Sequence, residues 1–132
     1  MKVNPYLMFN GQCDAAFKTY QRILGGEIVS RMTWSEMPDA EIPPESQKLI
    51  MHIALETGEN WLMGADALAH DYQQPQGFQV AIHFDDTSEG ERIFNALAEN
   101  GSIVMPFQKT FWAEGFGMCV DQFGIPWMVN CA

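Results

Sequence analysis

The chain has 132 residues, 47% hydrophobic and 12% aromatic, enough for one packed domain or for two small half-domains sharing a core. Its formal net charge is −10, with 17 acidic against 7 basic side chains, and its pI is near 4.5. Nucleic acid and anionic membrane are argued against as partners, because phosphate would be repelled, and neutral or cationic ligands are favoured over polyanions. Cys13, Cys119 and Cys131 lack CxxC spacing and read as reduced thiols. The start, Met1-Lys2-Val3-Asn4-Pro5-Tyr6, lacks the apolar run of a signal peptide. No segment approaches the ~20 apolar residues of a membrane span. A cytoplasmic protein is expected.

Val3 to Phe9 predicts a strand with Pro5, Leu7 and Phe9 on one face and Asn4, Tyr6 and Met8 on the other. Asn10-Gly11 ends it and is placed to cap the next element. Gln12 to Leu24 predicts a helix, because Ala16, Phe17, Tyr20, Ile23 and Leu24 recur at helical spacing. Gly25-Gly26 stops it. Glu27 to Trp34 reads as a strand. Ser35 to Gln47 carries Pro38, Pro43 and Pro44 with Glu36, Asp39, Glu41 and Glu45, and reads as an acidic loop or a lid over a site.

Lys48 to Glu56 alternates, with Leu49, Met51, Ile53 and Leu55 facing one way and Ile50, His52, Ala54 and Glu56 the other. Thr57-Gly58-Glu59-Asn60 predicts a hairpin turn into a strand from Trp61 to Ala65. Asp66 to Gly77 is polar and reads as a linker, with a solvated His70. Phe78 to Phe84 predicts a strand, with Val80, Ile82 and Phe84 opposite Gln79, Ala81 and His83. Ser88 with Glu91 fits a capping box for a helix striped by Ile93, Phe94, Leu97 and Ala98, which Asn100-Gly101 stops. Ser102 to Phe107 reads as a strand ended near Pro106. Gly115 to Val120 and Ile125 to Cys131 predict a closing hairpin around Asp121-Gln122-Phe123-Gly124.

The halves repeat. Phe84 follows Phe9 by 75 residues, Gly101 follows Gly26 by the same 75, and Gly26-Glu27-Ile28-Val29 mirrors Gly101-Ser102-Ile103-Val104. Each half reads strand, helix, three strands. The prediction is an α+β chain of two βαβββ modules, 1–66 and 78–132, joined by a 67–77 linker. A helix covers the apolar sheet face, so Pro5, Leu7, Phe9, Leu49, Met51, Ile53, Val80, Ile82, Phe84, Trp127 and Val129 are expected beneath helices. Asn4, Tyr6, Met8, Ile50, His52, Ala54, Gln79, Ala81, His83, Pro126, Met128 and Asn130 are left for the open face. Apolar bulk with a few polar groups suits a small-molecule pocket. The parity of Trp112, Phe116 and Met118 is ambiguous.

The motifs Asn4-Pro5-Tyr6-Leu7, Gly25-Gly26-Glu27, Ile50-Met51-His52, Met105-Pro106, Thr110-Phe111-Trp112, Phe116-Gly117-Met118 and Asp121-Gln122-Phe123-Gly124-Ile125-Pro126-Trp127 resemble the PhnB-like branch of the vicinal oxygen chelate superfamily. That superfamily includes glyoxalase I, extradiol dioxygenases and bleomycin-resistance proteins. The resemblance covers essentially the whole chain. It implies the glyoxalase/bleomycin-resistance/dioxygenase fold, a ligand pocket between modules and a homodimer. Some members carry a demethylubiquinone methyltransferase label, yet no Gly-rich strand–helix loop for S-adenosylmethionine is present.

In metal-using relatives, inward strand positions supply four ligands. The corresponding positions here look like Asn4, His52, Gln79 and Met128, of which His52 alone is a normal ligand for a divalent ion. No cofactor is therefore expected. His52 is open to three roles, as a ligand, a general base or a neutral hydrogen-bonding cavity residue. The expected contacts of a bound ligand are Tyr6, Met8, His52, Gln79, His83, Trp112, Met128 and Asn130. The preferred reading is a metal-free small-molecule binding protein. The alternative is a metal-dependent lyase, isomerase or dioxygenase centred on His52. A partner-binding dimer with a filled interior is the third.

Overall fold

Tyr6 and Met8 are exposed while Leu7 and Phe9 are buried, so the first strand, β1 (Tyr6–Phe9), has one wet and one dry face. The computed structural model describes residues 1–38, 41–68 and 70–132, which puts Asp39 outside the described residues. The chain divides into two units, Met1–Gln73 and Gln74–Ala132. In the first, β1 is followed by α1 (Cys13–Leu24), β2 (Glu27–Thr33), β3 (Ile50–Thr57) and β4 (Asn60–Asp66). The sheet order is β1-β4-β3-β2, with β1 parallel to β4. The second repeats this with β5 (Val80–Phe84), α2 (Thr87–Ala98), β6 (Ser102–Gln108), β7 (Gly115–Val120) and β8 (Pro126–Cys131), ordered β5-β8-β7-β6. These are two βαβββ modules.

Each helix buries its apolar stripe on its own sheet. Cys13, Ala16, Phe17, Tyr20 and Ile23 of α1 are buried, as are Ile93, Phe94 and Leu97 of α2. Phe17 lies so close to Gly64 of β4 that no side chain fits there, and Phe94 occupies the matching space over Gly117 of β7. The buried strand residues Leu7, Phe9, Ile53, Leu55, Trp127 and Val129 lie on these covered faces, as alternation predicts. Pro5 departs from the prediction: it precedes β1 and is exposed.

The repeated tetrapeptide has a structural meaning. A Cβ on Gly26 would overlap the carbonyl oxygen of Glu56, and one on Gly101 would overlap that of Val120. Ile28 pairs with Leu55 and Ile103 with Cys119. The valine after each is skipped in both ladders, because pairing resumes at Ser30 and at Met105. Val29 and Val104 are thus matching bulges on matching edge strands, and both are exposed. A second bulge skips Met51, since Met32 pairs with His52 and Thr33 with Ile50. It breaks the parity rule upstream. Ile50, expected on the open face, is 1% exposed, while Leu49 is only half-buried.

Three local predictions are corrected. The α1 cap is not Asn10-Gly11: Gln12 holds the cap position without a side-chain bond. The buried Asp66 carboxylate accepts from the Cys13 N–H at 3.0 Å and from the Ile50 N–H at 2.9 Å. The α2 cap is Asp86 rather than Ser88, accepting from the N–H groups of Ser88 and Glu89 at 2.9 and 3.3 Å. Pro106 lies inside β6 instead of ending it. An edge strand tolerates a missing donor, and pairing is irregular between Met105 and Gln108.

Candidate ligand-binding faces of the two sheets

Cross-strand partners share a sheet face, so the ladders define what each open face presents. In the first unit Tyr6 pairs with Met63, Met63 with Ala54, and Ala54 with Ser30. The adjoining row brings Met8 beside Ala65, and His52 beside Met32. Tyr6 Oη lies 3.0 Å from His52 Nδ1, and the rings stack with centroids 5.7 Å apart. Burial pushes the Tyr6 hydroxyl pKa up from its ordinary value, with the neighbouring Cys13 adding to it, so Tyr6 keeps its proton. With a neutral imidazole the hydroxyl donates to Nδ1, and the ring proton stays on Nε2. Asn4 stands half-buried just ahead of β1.

In the second unit one row reads Ala81, Met128, Met118, Met105 across four strands. The next reads His83, Asn130, Phe116, Gln108. The ambiguity over Phe116 and Met118 is thereby resolved, because both share the face of Asn130 and Met128. Asn130 Nδ2 stands 3.4 Å from His83 Nδ1, a long contact. Gln79, just ahead of β5, donates its amide to the Met118 sulfur at 3.0 Å. Trp112 lies in the loop before β7, half exposed, with its ring edge-to-face against Phe111 and Phe116.

The expected site residues therefore fall into local groups: Tyr6 with His52, His83 with Asn130, Gln79 on Met118, and Trp112 on Phe116. Sequence reasoning missed Met32, Met63 and Met105. With Met8, Met118 and Met128 they place six of the nine methionines on the open faces, three per module. The available signal was a methionine at alternate positions of several predicted strands. Thioether side chains make an adaptable apolar surface, suited to ligands of varied shape.

Asn4, His52, Gln79 and Met128, which the resemblance sets at ligand positions, are by their chemistry a poor donor set for a divalent ion. Asn4 and Gln79 offer amide oxygens, Met128 a thioether, and His52 has Nδ1 already engaged by Tyr6. Hard or borderline divalent ions want carboxylates and free imidazoles. Among the described residues no group of three or more His, Cys, Asp and Glu is arranged to hold an ion. The thiols are not poised as nucleophiles. Burial, reinforced by Asp66, raises the Cys13 pKa far above the ordinary value. Burial and Asp121 push Cys119 up to about 11. Cys131 is raised for the same kind of reason, burial first.

Two four-stranded modules of this order define the glyoxalase/bleomycin-resistance/dioxygenase fold. The same fold is seen in a glyoxylase/bleomycin resistance protein/dioxygenase domain from Frankia sp. EAN1pec, with a TM-score of 0.70 at 10% identity over 100% of this chain and 97% of that one. The chain belongs to the PhnB-like branch of the superfamily: residues 1–130 match the family model described as 3-demethylubiquinone-9 3-methyltransferase. Protein YjdN of Escherichia coli K12 is 37% identical over 139 residues, covering 98% of this chain and 95% of that protein. Protein PA1353 from Pseudomonas aeruginosa superposes with a TM-score of 0.92 at 42% identity, over 99% of this chain and 97% of that one. The PhnB protein from Bacillus cereus is a more distant fold match, with a TM-score of 0.83 at 22% identity over 100% of both chains. No described helix is long and apolar enough to cross a membrane.

Proposed function

We propose that this chain is a metal-independent small-molecule binding protein whose neutral or cationic ligand lies against the open sheet faces. The observation that carries the reading is the Tyr6–His52 pair. It engages one imidazole nitrogen, Nδ1, and leaves Nε2 open to a ligand on a face that also carries Met8, Met32 and Met63. Such a face gives apolar contact area with few, directed polar groups, which is what a small ligand needs. The family description names a methyl transfer. Its cosubstrate would want a Gly-rich turn between strand and helix, and here β1 enters α1 through Asn10-Gly11-Gln12 and β5 enters α2 through Asp85-Asp86. The reading therefore includes no transfer step. It includes a cytoplasmic homodimer, in keeping with the resemblance.

The test is a thermal-shift and calorimetric screen of neutral and cationic compounds, run with and without chelator. A ligand at 100 times its Kd adds about 2.7 kcal/mol, a shift of several degrees. The gain is expected to survive chelator and to fall at least tenfold in affinity for His52→Ala or Gln79→Ala. Stoichiometric Zn²⁺, Ni²⁺, Mn²⁺ or Fe²⁺ retained by the wild type and lost from His52→Ala would overturn the reading. Sedimentation equilibrium tests the dimer, and a monomer at micromolar concentration would refute it.

A further inference from the structure

The segment between β2 and β3 is a built feature. Trp34 and Ser35 donate backbone N–H groups to the carbonyls of Leu49 and Gln47 at 2.9 and 3.0 Å, tying its two ends together. Two single turns, Trp34–Glu36 and Pro44–Ser46, shape it. The Trp34 indole N–H donates to the Asp66 carbonyl at 3.1 Å, which fixes the ring. Asp66 also caps α1 with its buried carboxylate, so the segment is anchored to a buried residue of its module. The segment's described residues line an open pocket of about 580 Å³, within the size range of small-ligand sites. None of the pocket's described lining residues belongs to the open sheet faces.

The lining chemistry selects a ligand class. Trp34, Met37, Ile42 and Pro43 supply an apolar wall with one aromatic ring. Ser35 and Gln47 are turned to the segment itself: the Ser35 hydroxyl bonds Thr33 Oγ1 at 2.7 Å, and Gln47 donates to the Ile42 carbonyl at 3.4 Å. Glu41 carries the only charge among the described lining residues, and no ion pair among the described residues engages it. Glu36, held on Thr33, adds negative potential nearby. An apolar wall with an indole and, among the described lining residues, one carboxylate and no cation is complementary to an organic ammonium group. The net charge of −10 reinforces that preference over any anion.

We infer that the pocket formed by Trp34, Met37, Ile42, Pro43 and Glu41 is a second binding site, selective for alkylated ammonium cations. The ammonium rests on Trp34, Glu41 balances its charge, and its methyl groups fill the wall. Choline and its uncharged isostere 3,3-dimethylbutan-1-ol have nearly the same shape and differ in charge, so their difference isolates the proposed recognition. Isothermal titration calorimetry on the wild type and each variant reads both, and the Trp34 indole ¹⁵N–¹H resonance of the wild type locates the bound probe. Choline is expected to bind saturably, about tenfold tighter than the isostere, as cation–π contact plus one carboxylate supplies. Glu41→Gln should remove most of that preference, and Trp34→Leu should abolish binding. The His52 ring resonances should stay unshifted through the choline titration, which separates this site from the sheet faces. Glu41 is exposed and bonded to no described group, so Glu41→Gln tests the proposal even if Trp34→Leu unfolds the segment. Equal affinity for the two probes, no saturable choline shift, or unchanged selectivity in folded Glu41→Gln would overturn it.

Discussion

The two modules have the same strand order, the same glycine pressed on a carbonyl and the same bulged valine, yet they start their helices differently. In the first, α1 is capped by Asp66, which lies 53 residues away in sequence and is 1% exposed. In the second, α2 is capped by Asp86, adjacent and exposed. The second module places its buried carboxylate elsewhere, in the β7–β8 turn. Asp121 accepts from the N–H groups of Phe123 and Ile125 at 2.8 and 3.0 Å and from the Trp127 indole at 2.8 Å. Both modules thus contain a buried carboxylate that gathers several donors, long-range for Asp66 and within six residues for Asp121. In one it fastens a helix to two strands; in the other it fastens a turn to the core tryptophan.

Removing those carboxylates breaks the comparison most sharply. Asp121→Ala strands two backbone donors and a buried indole N–H and is expected to cost about 4 kcal/mol in urea unfolding. Asp66→Ala strands two backbone donors and should cost about 3 kcal/mol. Asp86→Ala, an exposed cap, should cost about 1 kcal/mol. Equal losses for Asp66 and Asp86 would mean that both serve as ordinary caps.

The glycine pair tests how closely the repeat holds. Alanine at either site must displace a backbone carbonyl, at about 2 kcal/mol. Gly26 also has φ 94°, a left-handed conformation, so Gly26→Ala is expected to be the worse of the two.

Alkaline pH separates the modules through their thiols. Cys13 and Cys119 have folded pKa values raised by burial. Their contribution is complete below the unfolded value of about 8.5 and is lost as pH rises beyond it, because the unfolded chain then ionises first. The melting temperature should fall above that pH. Cys119→Ala should flatten the fall, and Cys13→Ala should flatten it more. The smallest effect is expected at Asp14, whose pKa is lowered by its hydrogen bond with Arg31 at 3.0 Å. That contribution is present above the unfolded pKa and lost on acidification. Being partly exposed, Asp14→Asn should cost about 0.3 kcal/mol, with a shallower acid limb.

Much of this was legible in the chain. Period-two alternation gave the strand faces, because one side of each sheet is dry and the other is not. The spacing of Phe17, Tyr20 and Ile23 gave α1 its buried stripe. The match between Gly26-Glu27-Ile28-Val29 and Gly101-Ser102-Ile103-Val104 exposed the repeat. What escaped was long-range or irregular. Asp66 reads as the first residue of a polar linker, and nothing local says that its carboxylate reaches Cys13. The bulge at Met51 breaks alternation without a Gly or Pro to announce it. Pro106 looked like a stop because a proline signal does not distinguish an edge strand from a central one. In the candidate site, His52 was visible as a lone imidazole on an apolar face, whereas its tautomer depends on Tyr6, which only pairing brings near.

All three native thiols are buried, and each is held in its protonated form. For bioconjugation this leaves the protein without a native handle: a maleimide dye or nitroxide at neutral pH meets no reactive sulfur on its surface. Glu41→Cys would then create a single addressable position at the rim of the Trp34 pocket, ready for spectroscopic labelling with no cysteine deleted first.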